Sequence, residues 1–319
     1  MTAENTSNPS VILLCGPTAS GKTVVSLELA KLFSGEIVGA DSMQIYRHMN
    51  IGTATPTREE QQQIPHHMIN IIEPEETFDT VRYQKMAGDA ISQILANGNI
   101  PFVVGGTGLY SKALLHGMFE SPELPPEVRH HLRERLAQEG SVTLHEELRQ
   151  KDSAAAAKIH PNDPYRIVRA LEIIYITGGK LSDRQKAHQF QHEFYRTLKI
   201  GLLLPRELIY TRINQRVDKM VAAGFLEEVQ HLLASGVSPT TKSMQSIGYR
   251  HAISFLQGTL SAGEWIEKMK QDTRRYAKRQ MTWFAADPEI QWIAPNDIEP
   301  MANLICTFLH PETTPQENA

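Results

Sequence analysis

Short apolar runs bounded by glycine, proline or aspartate recur along the chain at 11–15, 36–40, 100–104 and 199–204. Runs of this length are typical of strands that are buried on both faces of a parallel sheet. Apolar residues at helical spacing follow the first run, over 24–33, and precede the third, over 83–96. Strands that alternate with helices predict βαβ units, so we expect an α/β fold with a doubly wound parallel sheet.

The pattern changes between residues 119 and 195. A turn-rich segment at 121–126 opens a stretch in which Ala, Arg, Glu, Gln and His recur with helical periodicity. The apolar run at 199–204 then indicates that the chain returns to the sheet. We therefore predict an all-helical insertion at 119–195 within a core formed by 1–118 and 196–319.

Composition limits the classes of function. The chain has 319 residues and a formal net charge of −4, so it lacks a uniformly basic surface. Any binding to nucleic acid must then depend on a local concentration of Lys and Arg. Cys15 and Cys306, the two cysteines, are far apart in apolar stretches, which excludes a disulfide framework and predicts two reduced core residues.

The amino-acid sequence contains neither a recognisable targeting signal nor a known metal-binding motif. Residues 1–9 are polar, and no apolar run approaches the roughly 20 residues that span a bilayer, so we expect a cytoplasmic protein without membrane contact. We also expect a monomer. His66 and His67 fall in an expected loop, and His188 and His192 have i,i+4 spacing. Neither pair has the carboxylate partners of a known metal motif.

The strongest motif is GPTASGKT at 16–23, which matches G-x-x-x-x-G-K-[ST] between the first strand and the first helix. In such a loop, backbone amides converge on phosphate oxygens at a helix N-terminus. The lysine adds a positive charge, and the last hydroxyl can bind Mg²⁺. The motif predicts that a diphosphate binds to Gly16, Pro17, Thr18, Ala19, Ser20, Gly21, Lys22 and Thr23.

A phosphate-binding loop does not say which group is transferred. An ATPase usually carries an acid at the end of a neighbouring strand, but here the run at 100–104 is followed by Gly105, Gly106 and Thr107. Asp41 follows the run at 36–40 and is the acid best placed near the loop, because the carboxyl ends of parallel strands line the ligand crevice. A turn or N-cap aspartate is the alternative for Asp41.

Seven segments, in order and spacing over nearly the whole chain, resemble the tRNA dimethylallyltransferase (tRNA isopentenyltransferase) family. They are GPTASGKT at 16–23, DSMQIYR at 41–47, NIGTA at 50–54, GGTGLY at 105–110, NDPYRIVRALE at 162–172, IGYR at 247–250 and AKRQMTWF at 277–284. The resemblance implies a P-loop kinase-like fold of the bacterial type, whose helical insertion grips the anticodon stem-loop. The implied reaction moves dimethylallyl from dimethylallyl diphosphate to N6 of adenosine 37, releases diphosphate and uses Mg²⁺.

The residues suggest how such a transfer would run. The N6 amine is a poor nucleophile within the base stack, so the base must be extruded, aligned and deprotonated. Asp41 is the candidate base, while Lys22, Thr23 with Mg²⁺ and the loop amides would stabilise the departing diphosphate. Arg212 and Arg216 share a helix face, and the resemblance favours Arg216 on the diphosphate; a solvated face is the alternative.

A basic segment at 268–280 precedes the aromatic pair Trp283 and Phe284. Lys and Arg there would neutralise phosphates, and Tyr276 or Trp283 could stack on an unpaired base, although a core position is the alternative for the aromatic residues. The resemblance assigns the tRNA contacts to Asp41, Ser42, Met43, Gln44, Thr107, Arg129, Tyr165, Arg166, Ile167, Val168, Arg169, Gln245, Ser246, Ile247, Gly248, Tyr249, Arg250, Lys278, Arg279, Gln280, Met281, Thr282, Trp283, Phe284 and Ala285.

Three other functions stay open at this point. A small-molecule P-loop kinase would use Arg166 and Arg169 as lid arginines on ATP, and nucleotide binding by the loop is itself undecided. An adenylate prenyltransferase would act on free AMP or ADP without a long RNA surface. A non-enzymatic RNA-binding module gives no reason for Lys22, Thr23 and Asp41 to converge. The segment at 268–284 has no role in the first two.

Overall fold

The computed structural model describes residues 8–118, 125–188 and 192–311. Within them, six parallel strands form one sheet. They are β1 (Ser10–Cys15), β2 (Gly35–Ala40), β3 (His66–His67), β4 (Ile100–Gly105), β5 (Arg196–Leu202) and β6 (Gln291–Ile293). Their order across the sheet is β3-β2-β4-β1-β5-β6, which confirms the parallel α/β prediction and its four strands.

The two strands at the edges were not predicted. His66 and His67, which were expected in a loop, pair with Ile37 and Val38 of β2. At the other edge, β6 pairs with β5 through only three residues. Segments this short cannot show the alternation or the apolar run on which a strand prediction depends.

Helices cover both faces of the sheet and fill the insertion. The helices before the insertion are α1 (Lys22–Leu32), α2 (Asn50–Thr53), α3 (Arg58–Gln63), α4 (Thr80–Ala96) and α5 (Gly108–His116). Those of the insertion are α6 (Pro126–Lys151), α7 (Ser153–Ala156), α8 (Pro164–Thr177) and α9 (Leu181–His188). The remaining ones are α10 (Arg206–Ala222), α11 (Phe225–Ala234), α12 (Tyr249–Leu256), α13 (Ala262–Phe284) and α14 (Ile298–Leu309).

Alternate side chains of β1 enter two different cores. Val11 and Leu13 pack with residues of α4 and α10 to α13, whereas Ile12 and Leu14 pack with residues of α1 and α14. Because successive strand side chains point to opposite faces, two cores require helices on both sides of the sheet. The doubly wound prediction is thereby confirmed.

The chain divides into two compact units, one formed by Met1–Leu115 with Glu193–Ala319 and the other by His116–His192. The predicted boundaries at 118/119 and 195/196 lie three residues from these. The second unit has a core of its own, in which Leu132 and Leu148 of α6 meet Ile167 and Leu171 of α8. Gly140 interrupts α6 with φ 82° and ψ 164°, a conformation that glycine adopts without steric cost.

The two cysteines differ. Cys15 is fully buried in β1, as expected, and its burial raises the pKa of the thiol to about 12. Cys306 is exposed on α14, so the prediction that it lies in the core is wrong, because the apolar stretch around it forms a helix with one solvent face. In the part of the chain that the structure describes, no helix is long and apolar enough to cross a membrane.

Candidate active site

The phosphate-binding loop connects β1 to α1, and its backbone turns through left-handed residues. Ala19 has φ 64° and Gly21 has φ 100°, which places Gly21 at the N-cap of α1. The first amides of α1 thus face the loop, where the helix dipole favours an anion. Lys22 Nζ donates to the carbonyl oxygens of Gly16 at 3.0 Å and Pro17 at 2.8 Å, so the ammonium group lies over the loop.

A cavity of about 760 Å³ opens in front of this loop. Its walls come from seven parts of the first unit: the loop with the start of α1, the segment after β2, the end of α2, the end of β4, α10, the segment around the start of α12, and α13. Residues from these parts that line it include Thr18, Lys22, Thr23, Asp41, Ser42, Gln44, Arg212, Arg216, Ser246, Ile247, Arg250, Tyr276 and Arg279. The candidate acid, the loop and both candidate arginines therefore meet in one cavity.

Asp41 lies at the carboxyl end of β2. The sequence suggested either an acid near the phosphate-binding loop or an aspartate that stabilises a turn, and the structure shows both features. Its Oδ1 accepts hydrogen bonds from the amides of Met43 at 2.8 Å and Gln44 at 3.4 Å, which is the geometry of an Asx turn. The same carboxylate lines the cavity. The turn uses Oδ1 alone, so it orients the carboxylate and leaves Oδ2 outside the turn.

The cationic groups of the cavity are partly desolvated. Burial, together with the nearby charge of Arg216, lowers the pKa of Lys22 to about 8, while the charge of Asp41 opposes the shift. Burial also lowers the pKa of Arg216, against the attraction of Asp41. Two cations held at a desolvation cost are relieved when an anion enters, so the cavity suits a polyanionic group.

Arg216 is tied to the loop more directly than Arg212. Its Nη1 donates to Thr18 Oγ1 at 3.4 Å, and its Nη2 donates to the carbonyl oxygen of Thr53 at 3.4 Å. Arg212 lines the same cavity beside Gly21. The shared helix face is confirmed, whereas the alternative of a solvated face does not hold for Arg216.

Gln280 connects α13 to the loop. Its side chain is 5% exposed; Oε1 accepts from the Thr18 amide at 2.8 Å, and Nε2 donates to the Gly106 carbonyl oxygen at 2.8 Å. Both ends of the amide are therefore satisfied inside the protein. The amide of Gln280 thus fixes the loop against α13. The residue also lines the cavity, so its expected contact with tRNA stays a prediction.

Close packing requires glycine at the last residue of β4, Gly105, and at Gly106 and Gly108 after it. A Cβ on Gly105 would lie 2.1 Å from the Ala40 carbonyl oxygen, and one on Gly106 would lie 2.1 Å from Gln280 Nε2. A Cβ on Gly108 would lie 2.0 Å from Trp283 Nε1. Helix α13 thus occupies the place where side chains at positions 106 and 108 would otherwise be. Thr107 keeps a side chain here, and its Oγ1 accepts from the Ser42 amide at 3.1 Å.

Helix α13 presents a mixed surface. Lys278, Arg279, Thr282 and Ala285 are exposed and Met281 is half-buried; the Arg279 guanidinium lies 5.6 Å from the centre of the Tyr276 ring. Trp283 is 43% exposed, but Phe284 is 3% exposed. Phe284 is therefore a core residue rather than a contact residue, because the helix turns its apolar stripe toward the sheet.

The residues at 245–250, which lead into α12, also include both accessible and buried positions. Ser246, Ile247 and Arg250 line the cavity, and Gln245 is exposed with its Nε2 donating to the Pro239 carbonyl oxygen. Tyr249, by contrast, is 1% exposed. Its side chain and the buried Gly248 belong to the core, which corrects the contact role expected for them.

In the insertion, Tyr165 is 80% exposed and Arg166 is also exposed. Arg129 and Arg169 each donate at 3.0 Å to Glu172, whose side chain is only 4% exposed. No sequence pattern predicted that this buried carboxylate orients both arginines. Ile167 and Val168 pack in the core of the unit, so the expectation that they contact RNA through their side chains is wrong.

Mg²⁺ is compatible with the cavity. This ion usually keeps several waters and binds one or two protein oxygens together with phosphate oxygens of the substrate. The Thr23 side chain lines the cavity and fits that arrangement. Among the described residues, no group of three or more His, Cys, Asp or Glu side chains is placed to hold a metal, so any ion here would depend on the ligand's phosphates.

Comparison with known proteins decides the family. One family model, described as IPP transferase, matches residues 44–287, and another, described as isopentenyl transferase, matches residues 9–72. A protein named tRNA dimethylallyltransferase from Desulfosudis oleivorans is 48% identical over 310 residues, which cover 97% of this chain and 99% of that protein. The chain belongs to the tRNA dimethylallyltransferase family.

Solved structures of this family have the same fold. The tRNA delta(2)-isopentenylpyrophosphate transferase from Staphylococcus epidermidis matches with a TM-score of 0.69 at 41% identity, covering 95% of this chain and 100% of that one. A eukaryotic dimethylallyltransferase acting on tRNA matches with a TM-score of 0.82 at 29% identity, covering 97% and 81%. The chain therefore shares the overall fold of these structures.

Proposed function

We propose that this protein transfers a dimethylallyl group from dimethylallyl diphosphate to N6 of adenosine 37 in the tRNA anticodon loop. The products are diphosphate and N6-dimethylallyladenosine. The proposal rests chiefly on one observation: the loop, the Asp41 carboxylate and helix α13 line a single cavity. A diphosphate site that faces a carboxylate beside a basic and aromatic helix suits an RNA base as acceptor.

The bond changes follow from this placement. The N6 lone pair forms a bond to C1 of the dimethylallyl group as the bond from C1 to the diphosphate oxygen breaks. The electron pair of the broken bond leaves with the diphosphate, beside Lys22 and Arg216. The Asp41 carboxylate accepts the N6 proton, which becomes acidic as the new bond forms. Mg²⁺ bound at Thr23 would neutralise charge on the leaving group.

Within the first unit, tRNA is proposed to contact α13 at Lys278, Arg279 and Trp283, beside the cavity. Within the insertion, taken by itself, the proposed tRNA contacts are Arg129, Tyr165, Arg166 and Arg169. Cationic side chains on such a surface displace counterions from RNA phosphates. Trp283 offers an exposed ring on which an unpaired base could stack.

A comparison of possible acceptors, each supplied separately, tests the proposal. Purified protein is incubated with radiolabelled dimethylallyl diphosphate and Mg²⁺, together with an anticodon stem-loop carrying adenosine at 37, the same RNA with guanosine at 37, AMP or ATP. We expect label only in the first RNA, and N6-dimethylallyladenosine after its digestion. Product on AMP would favour an adenylate prenyltransferase, and turnover of ATP alone would favour a kinase; either result overturns the proposal.

A further inference from the structure

Helix α2 is only four residues long and has no capping side chain of its own. Its first amides are satisfied by a residue distant in sequence. Glu228 of α11 accepts hydrogen bonds from the amides of Asn50 at 2.8 Å, Ile51 at 2.7 Å and Gly52 at 3.0 Å. One carboxylate thus binds three donors at a helix end, where unsatisfied amides are costly.

The same carboxylate also accepts the Tyr249 hydroxyl at 2.7 Å. Gly52 packs against the rings beside it, since a Cβ there would lie 2.3 Å from Phe225 and 2.6 Å from Tyr249. The start of α2 is therefore clamped by hydrogen bonds on one side and by aromatic rings on the other. The clamp leaves this short helix little freedom to shift.

The other end of α2 holds two residues of the cavity. The Thr53 carbonyl oxygen accepts from Arg216 Nη2 at 3.4 Å and from Gln44 Nε2 at 3.3 Å, and the Ala54 carbonyl oxygen accepts from Gln44 at 3.1 Å. The position of these carbonyls limits where the guanidinium of Arg216 can lie. A contact chain therefore runs from Glu228 through α2 to Arg216.

We propose that Glu228 is a positioning residue that places Arg216 on the diphosphate through α2. This proposal rests on the proposed function, because it concerns the leaving-group site. A carboxylate is required chemically: it accepts at about four positions, which matches the four donors, whereas glutamine has one acceptor oxygen and would turn an NH₂ group toward amides. Glu228→Gln keeps the size of the side chain and reverses its hydrogen bonding.

A double-mutant cycle on diphosphate binding tests this route. The Kd of inorganic diphosphate is measured by calorimetry for the full chain, Glu228→Gln, Arg216→Ala and the double variant. We expect Glu228→Gln to weaken binding about tenfold when Arg216 is present, and less than twofold when it is absent. Glu227→Gln, which changes an exposed neighbour on the same helix, is the matched control and should leave the Kd unchanged.

Equal losses in both Arg216 backgrounds would mean that Glu228 acts on the fold in general, and would overturn the proposal. So would an effect no larger than that of Glu227→Gln. If Glu228→Gln does not fold, Glu228→Asp keeps the charge on a shorter side chain and enters the same cycle, with a smaller expected loss. Wild-type protein that binds diphosphate but prenylates no RNA would refute the proposed function and leave the cycle valid; wild-type protein that binds no diphosphate would overturn both.

Discussion

Replacing Asp41 with asparagine separates two roles of this residue. In the structure, Oδ1 accepts the amides of Met43 and Gln44, while the carboxylate as a whole lines the cavity. Asparagine keeps an oxygen that can accept both amides, so the Asx turn is retained. It removes the proton acceptor. We therefore expect Asp41→Asn to abolish most of the transfer rate while leaving the fold and the basic helix α13 intact.

The size of the effect follows from these contacts. A positioned general base contributes about 10²- to 10⁴-fold in rate, or roughly 3 to 5 kcal/mol of activation free energy. Asp41→Ala loses the base and also two turn hydrogen bonds, each worth about 1 kcal/mol of stability. The asparagine variant should thus match the alanine variant in its loss of rate, but should unfold at a higher temperature than the alanine variant.

Single-turnover prenylation of an anticodon stem-loop measures the chemical step, and filter binding measures the Kd of the same RNA. For Asp41→Asn we expect a rate at least 100-fold below wild type and an RNA Kd within twofold of it, in line with the general-base contribution. The loss of a negative charge should not raise the KM for dimethylallyl diphosphate. A near-normal rate would refute the assignment of the base, and a parallel loss of RNA affinity would show a binding role instead.

Three further predictions concern the rest of the cavity. Burial lowers the pKa of Lys22 to about 8, so its charge in the free protein is present below that pH and is lost above it. We therefore expect inorganic diphosphate to bind more weakly as the pH rises through 8. Lys22→Arg keeps its charge in this range, so its affinity for diphosphate should not show the loss that is due to Lys22. Gln280→Leu leaves the Thr18 amide and the Gly106 carbonyl unpaired. We therefore expect the free energy of unfolding in urea to fall by about 2 to 4 kcal/mol and the KM for dimethylallyl diphosphate to rise. An unchanged midpoint of urea unfolding would show that Gln280 does not fix the loop against α13. Lys278→Ala should lower the slope of log Kd for tRNA against log salt by about 1, while Lys31→Ala, at an exposed position on α1, should leave the slope unchanged.

The sequence was sufficient to predict the elements that have a recognisable local pattern. Buried strands have an apolar run, and four of them were predicted within a few residues of their observed bounds. The loop at 16–23 combines glycines, a lysine and a hydroxyl in a fixed spacing, so its position between β1 and α1 was also predictable. The edge strands β3 and β6 were not, because two or three residues carry no pattern.

Contacts between residues far apart in the sequence could not be predicted from such local patterns. Gln280 lies 262 residues from Thr18, and Glu228 lies 178 residues from Asn50; nothing in the local composition distinguishes either from a surface residue. The same limit explains the errors at Ile167, Val168, Tyr249 and Phe284. Each lies within a motif that also contains less buried residues, and only the direction of the helix face shows that these side chains enter the core.

The glycines after β4 explain why this phosphate-binding loop lacks the acid that an ATPase would carry on that strand. A side chain at Gly105 would overlap the Ala40 backbone, and side chains at Gly106 and Gly108 would displace Gln280 and Trp283 of α13. The space that could hold a metal-binding acid is therefore occupied by the helix that carries the basic surface. Asp41, on the neighbouring strand, is the remaining carboxylate that lines the cavity among the described residues. We therefore expect this acid at the end of β2 to take a proton from an acceptor rather than to coordinate a nucleotide metal.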